Sequence, residues 1–73
     1  MSRSVYTFKN EEDYNNCREQ IERNLSYEDR ENVDFNGYCY GEYKISLDDS
    51  ISNSAAESAG SYAREQGGKY EPE

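Results

Sequence analysis

The chain has 73 residues, with 16 acidic and eight basic side chains, a net charge of -8, no histidine and two cysteines. So short a chain forms one small domain with a thin core, in which eight tyrosines supply much of the large side-chain volume. The negative charge argues against direct binding to nucleic acid or to an anionic membrane, because both require a positive surface. It favours a basic partner.

The N-terminal residues lack the basic and apolar segments of a signal peptide, and no apolar run approaches the ~20 residues that span a bilayer. We therefore expect a soluble cytoplasmic protein. There Cys17 and Cys39 are expected to be reduced, buried thiols, with a disulfide or a redox role as the alternative. Two cysteines without histidine do not make a zinc site, and no cofactor is predicted.

The first two elements follow from side-chain periodicity. Residues 4–8 alternate like a strand with one buried face, and Asn10 precedes an acidic first helical turn that it can cap. Apolar side chains then recur at spacings of three and four, which predicts a helix with one buried stripe. The stripe consists of Tyr14, Cys17, Ile21 and Leu25.

The pair Asn36-Gly37 predicts a hairpin, since both residues tolerate the positive φ that a type I′ turn requires. Its strands are expected at 33–35 and 38–46, after a loop or short helical turn at 27–32. The same stretch has oxygen side chains at the spacing of a calcium loop, but Tyr43 stands where that loop needs a bidentate glutamate. The hairpin is therefore the favoured interpretation.

A second helix is predicted between residues 46 and 68, and its cap is one of Ser46, Asp48 and Asp49. Gly67-Gly68 ends it, because left-handed capping geometry suits glycine. Residues 69–73 are predicted to be a frayed polar tail. The fold class is α+β: a single domain over residues 1–68, in the order β-α-β-β-α, with two helices on one face of an antiparallel sheet.

Catalytic groups are not apparent in the sequence. No histidine is present to act near neutral pH, and the serines occupy predicted cap or surface positions. Adjacent acids such as Asp48 and Asp49 more often cap a helix than transfer protons. We therefore expect no enzymatic activity and no catalytic or metal-binding residues.

Acidic residues interleaved with tyrosines form the strongest remaining signal. Residues 10–37 hold nine acids and three arginines, a net charge of -6. Carboxylates in suitable positions pair with the arginines and lysines that otherwise hold phosphates, and tyrosines add rigid contact area. A solvated surface that keeps the protein soluble is the alternative. The residues predicted to bind a partner are Glu12, Glu19, Glu22, Tyr27, Glu28, Asp29, Glu31, Asp34, Tyr38, Tyr40 and Glu42.

In length, charge, lack of catalytic groups and the stretch YEDRENVDFNGYCYGEY (27–43), the chain resembles the small acidic proteins with which phages inhibit host defence. These are the anti-CRISPR and anti-restriction proteins, a class without a shared motif, so the resemblance assigns no residue a role. It implies tight binding to a nucleic-acid-handling effector, which is blocked at its DNA site or held inactive. A second hypothesis is a small structural or regulatory domain that forms a homodimer through a sheet face containing Tyr38 and Tyr40.

Overall fold

The computed structural model describes residues 4–39 and 42–72, and within them the chain is an α+β domain, as the sequence predicts. The strands are β1 (Ser4–Phe8), β2 (Val33–Cys39), β3 (Glu42–Leu47) and β4 (Lys69–Pro72). The helices are α1 (Glu11–Asn24), the single turn α2 (Tyr27–Arg30) and α3 (Asn53–Glu65). The sheet order is β2-β3-β1-β4 with antiparallel neighbours, and apart from α2 the connectivity is that of a split β-α-β arrangement.

The core lies between one face of the sheet and the two longer helices. α1 begins at its predicted cap, where the Asn10 side chain accepts a hydrogen bond from Asp13 N at 2.9 Å. The predicted apolar stripe of α1 is buried, and α3 adds three buried alanines. The buried apolar residues are Tyr6, Phe8, Tyr14, Cys17, Ile21, Leu25, Val33, Ile45, Leu47, Ala55, Ala59 and Ala63.

Strand alternation separates the two faces of the sheet. Tyr6 and Phe8 of β1 are buried in the core, so Thr7 between them belongs to the opposite face. The register places Thr7 opposite Lys44 of β3 and Lys69 of β4, which therefore share that face. Because α1 and α3 both pack on the core face, we call this second face the open sheet face.

The hairpin between β2 and β3 is present, but the turn predicted at Asn36-Gly37 is wrong. β2 continues through both residues to Cys39, and the register pairs Asn36 with Lys44 and Cys39 with Glu42. Two residues of β2 therefore stand opposite one residue of β3, which is the pattern of a β-bulge. Residues 40 and 41, between the two strands in sequence, lie outside the described residues.

The C-terminal third also differs from its prediction. α3 is capped by Ser52, whose hydroxyl accepts a hydrogen bond from Ala55 N at 3.3 Å, so the predicted caps between residues 46 and 49 are wrong. Gly67 then adopts a φ of 77°, as predicted for a helix end. Residues 69–72 are not a frayed tail but form β4 along β1, so the domain continues past residue 68. No helix in the described part of the chain is long and apolar enough to cross a membrane.

Candidate protein-binding surface

A groove of about 240 Å³ lies beside β2, which is an edge strand of the sheet. Its floor is apolar and its walls carry two carboxylates, a phenol and a guanidinium, contributed by α1 and by the turn around α2. We call it the β2-edge groove. Its lining residues are Glu22, Tyr27, Arg30, Glu31, Val33 and Phe35.

The single turn α2 presents the phenol and one carboxylate of this groove. Ser26 caps the turn by accepting a hydrogen bond from Asp29 N at 3.3 Å. Tyr27 and Glu31 are four residues apart and therefore lie on the same side. A hydrogen bond to the Glu31 carboxylate, and then that carboxylate's charge, raise the pKa of the Tyr27 phenol. Tyr27 remains 68% exposed, which makes it available to a partner.

Two guanidinium groups already lie on the aromatic rings of the groove. The Arg18 guanidinium carbon is 5.1 Å from the centroid of the Phe35 ring, and Arg18 Nε is 3.4 Å from the Glu22 carboxylate. The Arg30 guanidinium lies 5.9 Å from the Tyr27 ring centroid. These distances are those of cation–π contacts. The groove therefore has the chemistry that holds a planar cation, namely an aromatic face with a carboxylate beside it.

The outer face of α1 continues the negative surface away from the groove. Glu12 and Glu19 lie opposite the buried stripe and are exposed. Glu19 is paired with Arg23 at 2.8 Å, but a pair so exposed to water is weak and can be exchanged for one with a partner. Glu28 of α2 is also exposed and adjoins the groove along the chain. These acids extend the groove into a wider negative surface.

The structure does not bring all the predicted residues to one side. Asp34 and Glu42 alternate with core residues and lie on the open sheet face, where Glu42 pairs with Lys44 at 3.4 Å. The side chains of Tyr38 and Tyr40 lie outside the described residues, so self-association through them stays a prediction. The described part of the open sheet face, which includes Asp34, Glu42 and Lys44, is charged rather than apolar.

Asp29 has a structural role that the sequence did not indicate. Its carboxylate accepts hydrogen bonds from the Ser26 hydroxyl at 3.1 Å and from the Ser52 hydroxyl at 3.3 Å. It therefore connects α2 to the start of α3, and its side chain is partly buried, unlike that of Glu28. Asp29 stabilises the turn that carries Tyr27 and Glu31 and is not itself part of the groove lining.

The sequence pattern did not predict the roles of Arg18 and Arg30 or the apolar floor of the groove. The spacing of Arg18 and Glu22, four residues apart, could have indicated their pair. The position of Phe35 under Arg18 could not have been found, because it depends on how α1 crosses β2. Within residues 4–39 and 42–72 there is no group of three or more side chains suited to a metal ion. No family model, curated protein or solved structure matches the chain.

Proposed function

We propose that the protein is a non-enzymatic inhibitor that binds a basic, nucleic-acid-handling effector of the kind blocked by anti-CRISPR or anti-restriction proteins. The observation that supports this best is the β2-edge groove, which Glu22 and Glu31 line together with the exposed ring of Tyr27. Such a groove accepts an arginine or lysine side chain, whose charge pairs with the carboxylates while its stem or plane lies on the ring.

Competition with phosphate explains how binding would inhibit. The basic residues that hold a nucleic-acid backbone are the same residues that pair with carboxylates, so a protein occupying them excludes the nucleic acid. A net charge of -8 also accelerates the approach to a positive surface, in a way that weakens with salt. A partner arginine entering the groove would replace the contacts that Arg18 and Arg30 make within the free chain.

The charge density of α1 favours this local mode of recognition over imitation of a whole duplex. The helix holds five acids and two arginines, a net charge of -3. Its 14 residues span ~21 Å, and duplex DNA of that length carries about twelve phosphate charges. The surface therefore resembles a few phosphates placed around one cation-binding groove. Affinity would come from a small central cluster, as at most protein interfaces.

Affinity capture from a bacterial lysate at low and high salt tests the proposal. The retained protein should bind nucleic acid when purified, should be lost at high salt, and should be displaced by its own nucleic acid. Retention of a partner that does not bind nucleic acid, or that is indifferent to salt and to nucleic acid, would contradict the proposed function.

Matched charge reversals locate the contact. Glu22→Lys with Glu31→Lys places two positive charges in the groove and should reduce binding of the captured effector by at least about a hundredfold. Glu57→Lys with Glu65→Lys makes the same net change on exposed positions of α3 and should reduce binding much less. Equal losses in the two double variants would mean that only net charge matters and that the groove is not the contact site. Asp29 is left unchanged because of its structural role.

A further inference from the structure

All three lysines of this acidic chain cluster around one side chain of the open sheet face. They are Lys9, Lys44 and Lys69. Thr7 lies opposite Lys44 on one side and opposite Lys69 on the other, in adjacent strands of the sheet. Lys9 comes directly after the end of β1 and lines the same cavity as Thr7 and Lys69. Although the chain has twice as many acidic as basic residues, its three lysines lie close together.

A cavity of about 330 Å³ lies at this position. Thr7, Lys9 and Lys69 line it together with Glu42 and Glu71. The Thr7 hydroxyl is buried, and it has no hydrogen-bond partner among the described residues. Since buried hydroxyls in folded proteins are nearly always paired, the Thr7 hydroxyl beside this cavity is a donor that can form its hydrogen bond with a ligand group.

The charges around the cavity favour an anion. Glu42 is paired with Lys44 at 3.4 Å, so these two charges offset each other. Lys9 and Lys69 make no ion pair with any other described residue, and Glu71 opposes only one of their two charges. The region around Thr7 thus holds a net positive charge of one in a protein whose total is -8.

We propose that this cavity binds a small phosphate-bearing molecule. A phosphate group presents several acceptor oxygens, which can take hydrogen bonds from the ammonium groups of Lys9 and Lys69 and from the Thr7 hydroxyl together. The cavity volume is at the lower end of the range for small-molecule sites, so the ligand is no larger than a mononucleotide. Phe8 and Gly67 complete the lining of the cavity, which shares no lining residue with the β2-edge groove, so this proposal is independent of the proposed function.

Amide NMR spectra recorded during titration with inorganic phosphate, and separately with adenosine monophosphate, test the proposal at constant ionic strength. Saturable shifts should appear at Thr7, Lys9 and Lys69. Tighter binding of the nucleotide would identify a phosphorylated molecule as the ligand, and equal binding would identify free phosphate. Shifts absent with both probes, or equally induced by chloride, would overturn the proposal.

Three variants and one control test whether the phosphate binds in this cavity. Lys9→Gln and Lys69→Gln should each weaken phosphate binding about tenfold, because each removes a charged donor. Thr7→Val should also weaken it, without loss of folding, because valine keeps the branched shape and removes the unpaired hydroxyl. Arg23→Gln removes an equal charge from the outer face of α1 and should leave binding unchanged. Binding that survives in both lysine variants would place the phosphate elsewhere.

Discussion

The Asp29 carboxylate receives two hydrogen bonds from Ser52, one from the backbone N at 3.4 Å and one from the hydroxyl at 3.3 Å. The Ser52 hydroxyl in turn caps α3 by accepting a hydrogen bond from Ala55 N. The Asp29 carboxylate therefore holds the capping hydroxyl in position. Asp29 also lies at the N-terminal end of α3, where a negative charge is favourable. The short turn α2 is thereby fixed to a helix that begins more than twenty residues later.

Replacing Asp29 by alanine should lower the free energy of unfolding by about 1–2 kcal/mol, because it removes acceptors for two serine hydroxyls and weakens the α3 cap. Urea unfolding followed by circular dichroism measures the change. Glu28→Ala, at the exposed neighbouring position, should change stability by less than about 0.5 kcal/mol. If the two variants were equally stable, the Asp29 bridge would have no energetic importance.

Gly60 of α3 lies against the hydroxyl end of Tyr6. A Cβ at residue 60 would be 2.7 Å from that oxygen, and Tyr6 is only 6% exposed, so the ring has little room to move. Alanine normally stabilises a helix interior relative to glycine by about 1 kcal/mol. Here we expect Gly60→Ala to destabilise the domain by about 1 kcal/mol, because overpacking outweighs the gain in helix propensity.

Removing the hydroxyl should reverse the sign of this effect. In a Tyr6→Phe background the nearest remaining ring carbon is 3.6 Å from the new Cβ, an ordinary contact, so Gly60→Ala should stabilise the domain by up to about 1 kcal/mol. The measurement is a double-mutant cycle of unfolding free energies, with Ser61→Ala as an exposed helical control. The same effect of Gly60→Ala in both backgrounds would exclude the hydroxyl contact as its cause.

Local patterns in the sequence predicted local structure well. The Asn10 cap and the stripe through Ile21 depend on neighbours within one or two turns, and both are confirmed. The prediction of a turn at Asn36-Gly37 was wrong because β2 continues past Gly37 in its pairing with β3, with a bulge between Asn36 and Cys39. The sequence also showed which residues are acidic. It could not show that Asp34 and Glu42 lie on the open sheet face, away from the groove, because that depends on strand register.

β4 was missed for a related reason. The segment KYEPE has one large apolar residue, so its composition is that of a tail. In the fold it pairs with β1, and the ring centroids of Tyr70 and Tyr6 lie 5.4 Å apart. Partners more than sixty residues apart along the chain leave no local signal. The candidate groove and the lysine cluster share this property, since each joins residues from three elements.

Deleting residues 69–73 should therefore destabilise the domain by several kcal/mol, because it exposes the edge of β1 and one side of Tyr6. Tyr70→Ala alone should cost about 1–2 kcal/mol, since Tyr70 is half exposed and loses mainly the contact with Tyr6. Glu71→Ala, on the open sheet face, serves as the control with a smaller effect. Thermal and urea unfolding of the three variants provide the test, and a deletion without effect would restore the interpretation of a frayed tail.

Cys17 should make stability depend on alkaline pH. Burial raises the pKa of its thiol from 9.0 to about 12. Between these values the unfolded chain releases the thiol proton while the folded chain retains it, so the stabilisation present below pH 9 is progressively lost as the pH rises toward 12. Cys17→Ala should remove this part of the pH dependence, and urea unfolding of both proteins at several pH values measures the difference between their slopes.

Alkylation provides a second measurement of the same group. With a pKa of about 12, roughly one thiol in ten thousand is ionised near pH 8, so native Cys17 should react with iodoacetamide only when the domain opens. Mass spectrometry of peptides identifies modification at Cys17 separately from Cys39. The reaction rate should rise in proportion to the unfolded population in the Asp29→Ala variant. Rapid modification of Cys17 in the stable protein would show that the thiol is accessible and that α1 does not bury it.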